Sequence, residues 1–263
     1  MVSSACMEGS TPEGPERPIV YSVDAMGGPL GLVASETLLA PYAARPDRFD
    51  ARRLAVREPG GREALRAALD EARRGRAAAF LYTGSKAFVS DQAPWVSDLF
   101  AFTRELVALE PPVPVLGVCF GHQLIAAATG GEVAARPPHT RGLLDIDVLA
   151  LDAPILSGLA PRYRAVVTHR DHVVRLADRY EPIAAAAYCP IHAFRDRDRD
   201  RPVFGVQSHP EATRALLDTD EELYRHGGWK AVSDADLAAC TAPRILENFA
   251  ALVLGRTDGA GSS

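Results

Sequence analysis

From residue 18 onward, short apolar runs alternate with stretches whose apolar residues recur at helical spacing. Pro18–Val23 (PIVYSV) predicts a buried strand, Arg52–Arg57 (RRLAVR) a weaker one, and Ala77–Tyr82 (AAAFLY) a third, stopped by Thr83-Gly84-Ser85. Between them, Gly61–Arg74 puts Leu65, Ala68, Leu69 and Ala72 on one helical face with arginines and acids opposite. Trp95, Leu99, Phe102, Leu106 and Leu109 mark a second amphipathic helix, closed by Pro111, Pro112 and Pro114. Val113–Val118 (VPVLGV) then predicts a fully buried strand. A helix over His122–Thr129 follows, ended by Gly130-Gly131.

The second half has a different texture. Leu143–Leu151 (LLDIDVLAL) alternates as a half-buried strand does, and shorter strands are expected at Tyr163–Thr168, Pro182–Tyr188, Ile191–Phe194 and Val203–Gln207. Helical stretches at Glu211–Tyr224 and Asp234–Leu254 end the pattern. This order predicts one α/β domain with a mainly parallel central sheet flanked by helices. The domain is expected over residues 17–255, with flexible tails at 1–16 and 256–263. The alternating Arg195–Arg201 (RDRDRDR) is expected to be a solvated charged turn.

Composition narrows the function. The 263 residues carry 29 basic and 34 acidic side chains, a net charge of −5. That balance has no basic stripe, which argues against nucleic acid as a partner. No apolar run reaches the ~20 residues of a membrane helix, and residues 1–17 lack the apolar core of a signal peptide. A cytoplasmic protein is the expectation. The four cysteines, Cys6, Cys119, Cys189 and Cys240, show no two-residue pairing, so neither a zinc ribbon nor a redox motif is expected. Cys189 and Cys240 read as inert. His169, Asp171 and His172 lack a suitably spaced third ligand, so no metal is expected. The sequence carries no cofactor motif.

Chemistry concentrates at Gly117-Val118-Cys119-Phe120-Gly121-His122-Gln123. A cysteine with a glycine two residues to either side, between an apolar strand and a helix, describes a nucleophile elbow. The helix start favours thiolate, and the Phe120 amide points to where negative charge develops on an attacked carbonyl. Directly after the apolar run Val203–Gln207 comes Ser208-His209-Pro210-Glu211. Residues i and i+2 of an extended segment project to one side, so Glu211 reaches one nitrogen of His209 and frees the other for a third group. Cys119, His209 and Glu211 therefore make a candidate triad.

Gly117–Gly131 (GVCFGHQLIAAATGG) and Gly205–Thr213 (GVQSHPEAT) closely resemble the class I, triad-type glutamine amidotransferase domains. The resemblance extends over roughly residues 17–255 and implies a flavodoxin-like fold with the elbow at the sheet edge. It further implies a nucleophile at Cys119, a general base and acid at His209, and an orienting role for Glu211. Thr83–Asp91 (TGSKAFVSD) falls at the second oxyanion turn of such domains, which assigns a donor to the backbone near Gly84 and Ser85. Thr168–His172 (THRDH) falls at the loop that contacts the glutamine backbone, so Thr168 and His169 join Gln123 as candidate substrate contacts. One departure is visible: synthetase-fused members usually carry Gly-Gly-Pro where this chain has Gly84-Ser85-Lys86. The Gly-Ser form is more like free-standing members, including γ-glutamyl peptidases.

The implied reaction is attack of Cys119 on a γ-glutamyl amide, giving a glutamyl thioester that water hydrolyses. With glutamine as substrate, the ammonia released would pass to a separate synthetase or acceptor subunit, because no ATP-binding glycine loop occurs in this chain. The alternatives are a γ-glutamyl hydrolase acting on a conjugate, and a non-catalytic partner or sensor of the same fold. The last would be marked by a broken triad, whereas all three members are present.

Overall fold

The computed structural model describes residues 16–224 and 232–260. In its first half β1 (Ile19–Asp24), α1 (Gly28–Ala43), β2 (Asp50–Ala55), α2 (Gly61–Arg73), β3 (Ala77–Tyr82), α3 (Pro94–Leu106), β4 (Val115–Val118) and α4 (Phe120–Ala128) alternate. Both faces of these strands are covered, which is why they read as unbroken apolar runs. Ala79 and Leu81 of β3 face one core, shared with Leu38 and Tyr42 of α1. Phe80 and Tyr82 face the other, shared with α2, α3 and α4. The apolar pattern missed α1. Its buried face (Leu30, Ala34, Leu38, Tyr42) has helical spacing, but Leu32 lies exposed on the far side and Pro41 falls within the last turn, so no polar face marks it.

The second half contains β5 (Glu132–Val148), a short 3-10 turn (Pro154–Leu156), β6 (Arg162–Arg175), β7 (Tyr180–Ala186), β8 (Cys189–Asp196) and β9 (Val203–Val206). Three helices follow: α5 (Arg214–Tyr224), α6 (Asp234–Ala239) and α7 (Arg244–Ala260). Among the described residues nine strands form one sheet in the order β2-β1-β3-β4-β9-β8-β7-β5-β6. The expectation of a mainly parallel sheet needs correcting. β2, β1, β3, β4 and β9 run parallel, but every pair from β9 through β8, β7 and β5 to β6 is antiparallel. The sheet is mixed. The physical reason is the connections: no α-helix separates β5 from β9, and a parallel return needs a long crossover.

Other boundaries moved as well. β5 starts eleven residues before the predicted Leu143, and β6 runs on through the Thr168–His172 segment. The single helix expected over 234–254 is two, divided at Thr241-Ala242-Pro243 because proline cannot continue α6. α7 then continues to Ala260, past the boundary drawn at 255. The start of the RDRDRDR run is no solvated turn. Arg195 and Asp196 end β8 and are buried, with Arg195 bonded to Glu181 and Asp152, and Asp196 to Arg179. The segment 197–200 is exposed. Cys6 lies outside the described residues. Among those described, no helix is long and apolar enough to cross a membrane.

Candidate active site

β4 delivers Cys119 to the carboxyl edge of the sheet, and α4 begins at the next residue. Cys119 has φ 49° and ψ −97°, the only non-glycine in the left-handed range among the described residues. Its N–H donates to the Val206 carbonyl at 2.8 Å, tying the turn to the end of β9. The flanking glycines are needed because strand and helix nearly touch. A Cβ on Gly117 would lie 2.5 Å from the carbonyl carbon of Gly121, and one on Gly121 would collide with Cβ of Tyr82 in β3. As the first residue of α4, Phe120 has an amide with no partner inside the helix.

The histidine arrives from the neighbouring strand. β9 pairs parallel with β4, Val118 opposite Val206, so the residues just after each strand emerge side by side. The His209 N–H donates to the Val166 carbonyl at 2.8 Å, which fixes the backbone. Its Nδ1 lies 2.8 Å from Oε1 of Glu211, and the Cys119 side chain also acts on the ring. Glu211 is fully buried. Burial alone would lower the pKa of His209, but the Glu211 carboxylate and Cys119 together raise it well above the ordinary histidine value. The arrangement thus favours the imidazolium, the form that has a proton to give.

Gly84 and Ser85 border these groups. A Cβ on Gly84 would lie 3.1 Å from Cε1 of His209 and 3.7 Å from Cβ of Cys119, so the two side chains meet over this glycine. The turn is fastened to Ala25 at two points: Thr83 Oγ1 accepts from the Ala25 N–H at 3.0 Å, and Ser85 Oγ donates to the Ala25 carbonyl at 2.7 Å. The Ser85 hydroxyl also accepts from the Ala87 N–H at 3.1 Å, so it is engaged within the turn. Lys86, the next residue, forms an ion pair with Asp220 of α5. That partner was invisible in the sequence, 134 positions away.

Gln123, Thr168 and His169 line the same pocket of about 170 Å³ as Cys119 and His209. Gln123 Nε2 donates to the Asp171 carbonyl at 2.7 Å and to Gln207 Oε1 at 3.1 Å. Gln207 Nε2 in turn points at Cys119 Sγ, 3.5 Å away. Gln207 was missed as a site residue because it reads as the last residue of a strand. Only its position two before His209 hinted at a place in the site. Thr168 Oγ1 is bonded to Nε2 of His139 at 3.0 Å, and its carbonyl lies 3.9 Å from Cys119 Sγ. The His169 ring packs against His172 and Tyr188, with centroids 4.7 and 5.8 Å away. Burial lowers its pKa to about 3, helped by His172. It is a neutral ring at physiological pH and supplies no charge to a substrate.

Of the candidate site residues, Cys119, His209, Ser85, Phe120, Gln123, Thr168 and His169 line one pocket, while Glu211 and Gly84 lie against His209 without lining it. Residues 92–224 match the model of the family named Glutamine amidotransferase class-I. The chain belongs to that family. Cys119, His209 and Glu211 all fall within the matched stretch. This amidotransferase chain is 39% identical over 99 residues to a glutamine-hydrolysing GMP synthase subunit of Methanothermobacter thermautotrophicus, covering 38% of this chain and 52% of that one. It is 40% identical over 112 residues to the protein of the same name from Methanococcoides burtonii, covering 43% and 57%. The chain thus spans about half the length of these curated relatives. In fold it is similar to the crystal structure of a Thermoplasma acidophilum protein described as a GMP synthase subunit. The TM-score is 0.65 at 17% identity, over 95% of this chain and 100% of that one.

Proposed function

We propose that this chain is the glutamine-hydrolysing half of a two-protein amidotransferase, with Cys119 as nucleophile, His209 as proton carrier and Glu211 as its orienter. The observation that carries the reading is the continuous contact from Cys119 through His209 to Glu211 at the base of one pocket. The thiolate adds to the γ-carbonyl carbon of glutamine, and the oxyanion lies between the amides of Ser85 and Phe120. His209 gives its proton to the departing nitrogen, the C–N bond breaks, and a glutamyl thioester remains. Water then loses a proton to His209 and attacks the thioester, releasing glutamate and the thiolate.

Gln123 and the backbone of Thr168 and His169 are the proposed holders of the glutamyl group. Relatives named as glutamine-hydrolysing GMP synthase subunits support a separate synthetase as the consumer of the ammonia. The test is glutamate release from glutamine by the purified chain, by itself and with a matching synthetase. Cys119→Ala should lower it at least ~10³-fold while the circular dichroism spectrum is retained. Full activity in that variant would reject the assignment.

A further inference from the structure

The pocket around Cys119 has two unlike walls. The wall built by α4 and β6 is polar, with Gln123, Thr168, Arg170 and Asp171. The facing wall is apolar: Met26 from the β1–α1 connection, Leu30 from α1 and Leu216 from α5 line the pocket and pack on one another. The apolar wall adjoins His209. A Cβ on Gly84 would lie 3.1 Å from His209 Cε1, 3.6 Å from Met26 Cε and 3.7 Å from Cys119 Cβ, so thioether methyl, imidazole and nucleophile stem converge on one point.

Met26 is held there by the chain itself. Its N–H and that of Gly27 both donate to Oδ1 of Asp24 at 2.9 Å, and Asp24 is ion-paired with Arg53. One turn beyond Leu216 on α5, buried Asp220 is paired with Lys86, and both line the pocket, so the charges on this side answer each other. A glutamyl head carries charged amino and carboxyl groups, which suit the polar wall. A leaving nitrogen protonated by His209 would depart beside Met26, whose Cε lies near His209 Cε1 at Gly84. Ammonia leaving from that nitrogen would touch almost none of this apolar surface.

Resting on the roles given above to Cys119 and His209, we propose that Met26, Leu30 and Leu216 form a leaving-group subsite. Through it the enzyme also cleaves γ-glutamyl amides whose amine bears an uncharged apolar chain. The balance is that of a hydrolysis: γ-glutamyl-N-alkylamide and water give glutamate and the alkylamine. Cys119 sulfur bonds to the γ-carbon, the C–N bond breaks with the His209 proton moving to nitrogen, and water later replaces sulfur.

The experiment measures glutamate released by the purified chain from glutamine, γ-glutamyl-methylamide and γ-glutamyl-butylamide. We expect kcat/KM for the butylamide to exceed that for the methylamide ~10-fold or more, the scale by which an apolar pocket reads added methylenes. The ratio should fall toward one in Met26→Gln and persist in Met26→Leu, which keeps an apolar wall and reports that the site is folded. Glutamine cleaved with no preference for butyl over methyl would overturn the subsite and leave the glutaminase reading standing. A preference unchanged in Met26→Gln would overturn the assignment of the wall. Butylamide turnover in Cys119→Ala equal to the unmodified chain would instead defeat the nucleophile assignment, and the subsite with it.

Discussion

Nδ1 of His209 lies 2.8 Å from Oε1 of Glu211, in a place where the carboxylate has no contact with solvent. A buried carboxylate without a cation is costly, so the pair sets the charge of the ring as well as its orientation. Cys119 lies on the same side of Gly84 as Cε1 of His209 and adds to the raised pKa of the ring. The histidine is therefore poised as an acid toward whatever sits over the sulfur.

Replacing Glu211 with glutamine keeps the shape and removes the charge. Activity should fall roughly 10²–10⁴-fold, mainly in kcat. The raised pKa of His209 also has a stability consequence. A group whose folded pKa lies above its unfolded value contributes fully below about pH 6.5 and loses that contribution as pH rises through the folded value. The Tm gap between the unmodified chain and Glu211→Gln should therefore be widest near neutral or mildly acidic pH and narrow in alkali. A gap that widens in alkali would contradict the direction of the shift.

Cys119 holds its backbone at φ 49° and ψ −97°, a conformation costing an L residue about 1–3 kcal/mol. Both Cys119→Gly and Cys119→Ala remove the sulfur, but only glycine relieves the backbone. The glycine variant should be the more stable of the two by about 1 kcal/mol, less than the full strain because glycine loses more entropy on folding. Urea unfolding midpoints measure the difference. Equal midpoints would mean that the elbow stores no strain.

Much of the site was legible because its requirements are local. Gly117 and Gly121 bracket Cys119 since strand and helix leave no room for a Cβ, and that demand is written within five residues. His209 and Glu211 likewise sit two apart on one extended segment. What the sequence hid depends on distant pairings. Gln207 gains meaning only where β9 lies against β4, and Lys86 only where α5 returns over the pocket. The fold followed the same division. β3 could be read to the residue from its apolar run, whereas the antiparallel half depends on connections whose direction no periodicity records. α1 escaped because burial on one side and exposed leucine on the other blur the contrast that a period needs.

Gln207 is fully buried and joins Gln123 to the sulfur, accepting from Nε2 of Gln123 and donating to Cys119 Sγ. Gln207→Leu fills similar space but deprives Gln123 of an acceptor and the sulfur of a donor. Stability should drop about 1–3 kcal/mol, the cost of leaving a buried polar group unmet. Gln207→Glu restores an acceptor but sets a carboxyl group against the thiolate, so it should lower kcat more than Leu while disturbing packing less. Steady-state kinetics beside urea melts separate the two effects. A fully active Gln207→Glu would remove this residue from any part in tuning the sulfur.

The Lys86–Asp220 pair is unequal in exposure: the lysine side chain is 40% exposed and the aspartate 3%. Removing each partner should therefore differ. Lys86→Met strands a carboxylate away from water and should cost about 1–3 kcal/mol. Asp220→Asn leaves an ammonium that can turn to solvent and should cost under about 1 kcal/mol. The double variant should resemble Asp220→Asn, giving a coupling energy close in size to the cost of Lys86→Met alone. Because Lys86 follows Ser85, whose amide is the proposed oxyanion donor, Lys86→Met should also reduce kcat with little change in KM. If both single changes cost the same and the double equals their sum, the pair holds nothing in place, and α5 does not brace the oxyanion turn.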